Sequence, residues 1–269
     1  MPPRPRRAPQ VHKFGGASLA DSTAVRHAVE IIQSYRPEPT IVVVSAMAGV
    51  TDALLEVARQ AGSGDERTAA SLIAQLRSRH VEVARSSLGA GRARATMLAH
   101  IADVFLELES LAQGLRLLRE LTPRTIDNLV CRGERLSARL FAAALEQTGI
   151  KAKYVDPLDV VHTDRAFGQA SPDFARTDRA AQRVLQPLIL RGIVAVVPGF
   201  LGATPEGEIA TLGRGGAATT DHAAGAPHRR SVPNRDGCVL YRNDSCCSRR
   251  AICRGVCPMS RFSDRDRCA

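Results

Sequence analysis

Lys13-Phe14-Gly15-Gly16-Ala17-Ser18 is the stretch from which the rest of the chain can be read. Val11 to Phe14 reads as the end of a strand, two glycines follow, and Ser18 brings a small hydroxyl. Asp21 or Ser22 then caps a helix predicted from about Thr23 to Tyr35. A strand, a glycine turn and a helix start make an anion site, because backbone N–H groups point outward there. Lys13 adds a mobile positive charge beside them. An ordinary strand-to-helix turn with a surface lysine would look the same, since short glycine motifs recur by chance.

A second stretch, Leu212-Gly213-Arg214-Gly215-Gly216, narrows the choice. Ile193 to Val197 is a continuous apolar run, Pro198-Gly199-Phe200 ends it, and residues 202–207 are turn chemistry. Glu208 to Leu212 returns as a strand and delivers Arg214 between glycines. Two Gly-rich turns at strand ends, one with Lys and one with Arg, suit a small anionic substrate together with a phosphate donor. The chain has no G-x-x-x-x-G-K-[ST] string, so it is not a P-loop protein. Gly89-Ala90-Gly91 follows no predicted strand and is not a dinucleotide fingerprint.

Between these stretches strands and helices alternate. Strands are expected at Val11–Phe14, Thr40–Ser45, Lys153–Val155, Val160–Val161 and Ile193–Val197. Helices are expected from Thr51 (with Thr51-Asp52 as cap) to Gln60, Glu66 to Ser87, Arg92 to Glu120 and Leu129 to Gly149. A last helix runs from a start at Ser171-Pro172-Asp173 to about Arg191. This alternation predicts an α/β fold, a mostly parallel sheet sandwiched between helix layers. The helices between 66 and 120 carry apolar stripes and little that looks chemical; they read as packing, lid or dimer contact.

The chain has 269 residues, 44% of them hydrophobic, with no Trp and a net charge of +10. That is ample for a core. The charge is uneven: residues 222–269 hold ten Arg against four Asp, a net of +6, which leaves +4 for the rest. The same segment holds six of the seven cysteines, and Cys131 is the other. No apolar run is long enough for a membrane helix, and the basic, Pro-rich start is followed by no apolar signal core. The body therefore reads as cytoplasmic with a reduced thiol. Cys246-Cys247 and Cys253-x-x-x-Cys257 lack the paired knuckles of a zinc site. Nucleic-acid binding is disfavoured, since Tyr241 and Phe262 are the segment's only aromatics. Its mix of Arg, Cys, Ser and Pro reads as out-of-frame translation of a GC-rich gene.

The blocks Val11 to Ser18, Val42-Val43-Val44-Ser45-Ala46-Met47-Ala48-Gly49-Val50-Thr51, Gly133-Glu134, and Gly199-Phe200 through Gly216 resemble aspartokinase, in the family's order and at its spacing. The first two are especially similar to aspartokinases fused to diaminopimelate decarboxylase. The resemblance covers about residues 10 to 217. With the composition of the two ends this divides the chain into three regions: a disordered leader at 1–10, an amino-acid-binding part of a kinase domain at 11–221, as the resemblance implies, and an unrelated, disordered tail at 222–269.

The resemblance also implies roles. Lys13 would be the catalytic lysine that meets the phosphates, and Gly15, Gly16, Ser18, Gly213, Gly215 and Gly216 would bind phosphate. Arg214 would grip the α-carboxylate of L-aspartate through its fork geometry. Glu134 would take the α-ammonium. Placed near the start of a helix, it could equally be there for the macrodipole. Ser45 and Thr51 would hydrogen-bond substrate or phosphate, or simply satisfy a turn and a helix start. Phe200 would wall the amino-acid pocket, or be plain core.

The implied reaction moves the γ-phosphate of ATP, carried with Mg²⁺, to the side-chain carboxylate of L-aspartate. It feeds lysine, threonine and methionine synthesis. No metal site of the protein's own, no membrane and no nucleic-acid partner are expected, and a homodimer is. After Gly216 the family continues Ser-Asp, where this chain has Ala217-Ala218, and the family's adenine section is not recognisable. The chain as given is therefore expected to turn over ATP poorly, as a truncated, inactive fragment would. The rivals are a kinase for another carboxylate or carbamate and a basic nucleic-acid-binding protein.

Overall fold

The computed structural model describes residues 9–212 and the strand residues 232–233 and 238–241. Its centre is a sheet in the order β3-β4-β2-β1-β8-β7. The strands are β1 (Gln10–Phe14), β2 (Thr40–Val44), β3 (Ala152–Tyr154), β4 (Val194–Pro198), β7 (Val232–Pro233) and β8 (Cys238–Tyr241). β1 to β4 run parallel, with Lys13 beside Val43 and Val43 beside Val197. All of β2 and all of β4 are buried, as expected for strands covered on both faces. A small hairpin of β5 (Leu201–Ala203) and β6 (Ile209–Thr211) stands apart from this sheet.

Among the described residues six helices cover it: α1 (Ser22–Ser34), α2 (Val50–Ser63), α3 (Glu66–Ser87), α4 (Arg92–Leu118), α5 (Pro123–Gln147) and α6 (Phe174–Leu190). The larger core joins Phe14, Val42 and Val44 to α1 through α5, with Phe14 against Phe141 at 5.4 Å between ring centroids. The smaller core, on the opposite face, joins Val11, Ile41, Val43, Ala195 and Val197 to α6 through Leu185. Alternate residues of β1, β2 and β4 thus serve opposite cores.

Asp21 caps α1, accepting the N–H groups of Thr23 and Ala24 at 2.8 and 2.9 Å. Four expectations need correction. Helix α2 is not capped by Thr51 or Asp52: Gly49, at φ 74°, holds the cap position, a backbone setting that favours glycine. Helix α5 starts at Pro123 rather than Leu129, because Thr122 caps it and proline suits the first turn. Val160-Val161 is no strand; it follows a 3-10 turn at Pro157–Asp159 and is tied to β5 by the Ala203 N–H. Pro172 lies before the cap of α6, which is Asp173. Of the tail, residues 238–241 pair antiparallel with β1, with Lys13 opposite Val239, so this run does extend the sheet. The other expectations for 1–8 and 213–269 lie outside the described residues.

Candidate functional site

The carboxyl ends of β1, β2 and β4 lie side by side, and the loops leaving them are bonded together. The Ser45 N–H donates to the Phe14 carbonyl at 3.0 Å, and the Gly199 N–H to that of Val44 at 2.8 Å. The Ala48 N–H reaches the Gly16 carbonyl at 3.1 Å. A crevice outside the carboxyl ends of parallel strands is where open α/β sheets bind ligands. Lys13, Gly15, Gly16, Ser18, Ser45 and Phe200 belong to these strand ends and loops, and Thr51 to the first turn of the helix that follows β2. Gly213, Arg214, Gly215 and Gly216 lie outside the described residues.

The two leading glycines differ in kind. A Cβ on Gly16 would stand 3.1 Å from the Ala46 carbonyl oxygen and 3.3 Å from Ala48 Cα, so Gly16 lets the two loops close on each other. A Cβ on Gly15 would meet nothing within 4 Å, and its φ of −76° suits any residue. Among the described residues the fold thus leaves open space in front of Gly15. Lys13 is partly exposed on the same sheet face as Val11. Ser18 donates its N–H to the Gly15 carbonyl at 3.0 Å, turning the chain into the 3-10 turn Gly16–Leu19.

Glu134 is the unusual group. It is the twelfth residue of α5, so the macrodipole of a helix start does not account for it. Its side chain is buried, 3% exposed, and its Oε2 has no hydrogen-bond partner among the described residues. Burial pushes its carboxyl up to about 7, against the pull of backbone N–H groups including that of Ala46. Gly133 brings it here: a Cβ would meet Ala46 Cβ at 2.9 Å and Val50 Cγ1 at 3.0 Å. Only glycine lets α5 press this close to the β2–α2 turn. A buried carboxylate without a counter-charge is costly to ionise, and a bound cation would remove that cost.

Phe200 holds φ 67°, the left-handed region that a bulky residue rarely adopts. It packs partly on the smaller core, and its carbonyl accepts the Leu212 N–H at 3.0 Å. Phe200 thus turns the chain from β4 into β5, and its bond to Leu212 ties the open end of the β5–β6 hairpin. Thr51 sits in the first turn of α2, partly buried.

Two positions escape the sequence reading. Arg79, from the middle of α3, donates to the Ala48 carbonyl at 2.7 Å and the Ala20 carbonyl at 2.9 Å, clamping both loops at once. Nothing local marks it, since an arginine on a periodic helix looks like solvated surface. Asp127 is fully buried about two helical turns before Glu134 and accepts from Gly168 N–H, Thr211 N–H and Thr211 Oγ1 at 2.8, 2.9 and 2.5 Å. It anchors the strand that leads into Gly213. Its distance from Thr211 along the chain hides the pair. Among the described residues no group of three His, Cys, Asp or Glu is placed to hold a metal ion, and no helix is long and apolar enough to cross a membrane.

Lysine-sensitive aspartokinase 3 of Escherichia coli is 32% identical over 211 residues, 77% of this chain and 43% of that protein. An aspartokinase of Chlamydia trachomatis is 34% identical over 217 residues, 79% of this chain and 44% of the relative. The crystal structure of E. coli aspartokinase III in complex with aspartate and ADP superposes with a TM-score of 0.70 at 29% identity, covering 80% of this chain and 45% of that one. Its complex with lysine and aspartate matches equally well, with a TM-score of 0.70. The chain spans less than half the length of these relatives. The profile of the amino acid kinase family matches residues 9–224, and together with the α/β sheet and its bonded strand-end loops this places the chain in the amino acid kinase family.

Proposed function

We propose that the protein is an aspartate kinase, transferring the γ-phosphate of Mg²⁺-ATP to the side-chain carboxylate of L-aspartate. The carrying observation is Glu134: a buried carboxylate with an oxygen unpartnered among the described residues, placed by Gly133 against the loop after β2. The α-ammonium of an amino acid is the counter-charge that such a site lacks. A kinase for an acid without that ammonium would have no use for it. Lys13 stands at the end of β1 beside the open space at Gly15, where phosphate would lie and where charge gathers as the phosphoryl group moves. Arg214 would take the α-carboxylate and the glycines around it the phosphates. Ser45, Thr51 and Phe200 would border the amino acid. Mg²⁺ would arrive on the nucleotide, and the protein would act in the cytoplasm, as a homodimer.

The test is aspartyl-hydroxamate formation by the 269-residue chain with ATP, Mg²⁺ and aspartate, run beside calorimetric titration with L-aspartate. Saturable aspartate binding is expected, with hydroxamate formed only slowly, because Ala217-Ala218 stand where the family continues Ser-Asp. Glu134→Gln should weaken aspartate binding by about tenfold or more, the loss of a charge-assisted contact. Lys13→Ala should instead lower kcat far more than affinity, because its charge is needed most as transfer proceeds. Binding without turnover would leave an aspartate-binding protein, the outcome that Ala217-Ala218 would favour. Neither binding nor turnover would refute the proposal.

A further inference from the structure

Three guanidinium groups and an imidazole meet at a second place, on a side of α5 away from Glu134. A cavity of about 170 Å³ lies between α4, α5 and β6, lined in part by His100, Glu107, Arg132, Arg135, Arg139 and Ile209. The arginines recur at spacings of three and four, so they share one face of α5. Their charges are unequally matched. Arg135 is paired with Asp156. Arg132 lies 3.4 Å from Glu107, a carboxylate left 67% exposed, and donates to the Asn128 side-chain oxygen at 2.9 Å. The Nε of Arg132 is buried without a hydrogen-bond partner among the described residues. Arg139 has no ion pair there either; its guanidinium lies 3.9 Å over the Tyr154 ring, which holds it in place. His100 is held below the ordinary histidine range, by burial first and then by Arg139 and Arg135, against Asp103 and Glu107. The cavity lining thus carries three guanidinium groups and one carboxylate, Glu107, which is largely exposed, while Asp156 is committed to Arg135.

We propose that this cavity is an anion site for a small dianion, a phosphate or a short dicarboxylate, held by Arg139 and Arg132 with Glu107 as the charge it must displace. The volume corresponds to about six water molecules, room for such an ion but not for a nucleotide. Guanidinium forks match the paired oxygens of both ion types. The site shares no lining residue with the proposed kinase site, so it stands whether or not that reading does.

Calorimetric titration of the full chain with inorganic phosphate, and separately with succinate, tests it and tells the two classes apart. One saturable site is expected that survives Lys13→Ala and Glu134→Gln. Arg139→Gln should weaken it by about tenfold or more, the loss of a charge-assisted contact. Glu107→Gln, at an exposed carboxylate, should tighten it several-fold. That opposite sign is one that general damage to the fold would not produce, and thermal melts of each variant check the fold directly. Absence of saturable binding by either anion would overturn the proposal. So would affinities indifferent to both Arg139 and Glu107, or binding lost with Lys13→Ala and kept in Arg139→Gln, which would place the anion at the turn after β1.

Discussion

Glu134 carries a pH signature that separates it from an ordinary surface carboxylate. Its carboxyl rises from 4.5 to about 7 on folding. A group whose pKa is raised in this way binds its proton more tightly in the folded chain. The contribution of Glu134 to ligand-free stability is therefore highest below about pH 4.5, falls as pH rises to about 7, and is level beyond. The full loss is on the order of 3 kcal/mol. Glu134→Gln removes the titrating group, so the variant should gain on the parent as pH rises through this window and hold its advantage at pH 8. Thermal melts from pH 4.5 to 8.5 measure it; a difference that does not vary with pH would show that Glu134 is ionised and paired. The residue itself was legible from Gly133-Glu134. Its setting was not, because the helix was expected to begin at Leu129. Thr122-Pro123, a cap followed by a first-turn proline, was the overlooked signal that moves Glu134 to mid-helix.

Among the elements, the site depends on how closely α5 and α3 approach the loops. Gly133→Ala forces a methyl to within 3.0 Å of both Ala46 and Val50. Overpacking of this kind costs about 1–3 kcal/mol. Urea unfolding should show that loss, whereas unchanged stability would mean that α5 can shift at little cost. Arg79→Lys keeps the charge but not the two-pronged reach to Ala48 and Ala20. We expect a loss of about 1–3 kcal/mol from the unpaired carbonyls, with weaker aspartate binding because both loops loosen. Equal aspartate affinity in parent and variant would reduce Arg79 to a structural tie. Strand and helix order was legible because apolar runs and periodic stripes rarely conflict in this chain. Contacts such as Arg79 to Ala48 or Asp127 to Thr211 were not. They join residues far apart in sequence, and only the packed helices bring them together.

At the scale of the whole molecule, the alternation of elements predicted a parallel sheet between helices, and that is the arrangement of β1 through β4. The helix layers are far from equal. On one face α1, α2, α3, α4 and α5 share a single continuous core. On the other, the described cover of Val11, Ile41, Val43 and Val197 is α6 with the segment around Val155–Val161. Periodicity within one helix cannot reveal how many neighbours it will have, so this imbalance was not readable from the sequence. It has a kinetic consequence. Segments held by few apolar contacts open at a lower free energy than the core. In amide hydrogen exchange, α6 should take up deuterium well before α2 and α5, as a separate opening unit, while β2 stays protected until global unfolding. Simultaneous exchange of α6 and α5 would mean that the thin layer is as tightly coupled as the thick one. If α6 does open alone, the strand ends that carry Lys13 and Ser45 are breached from that side first, and a ligand spanning those ends would slow deuterium uptake in a helix it never touches.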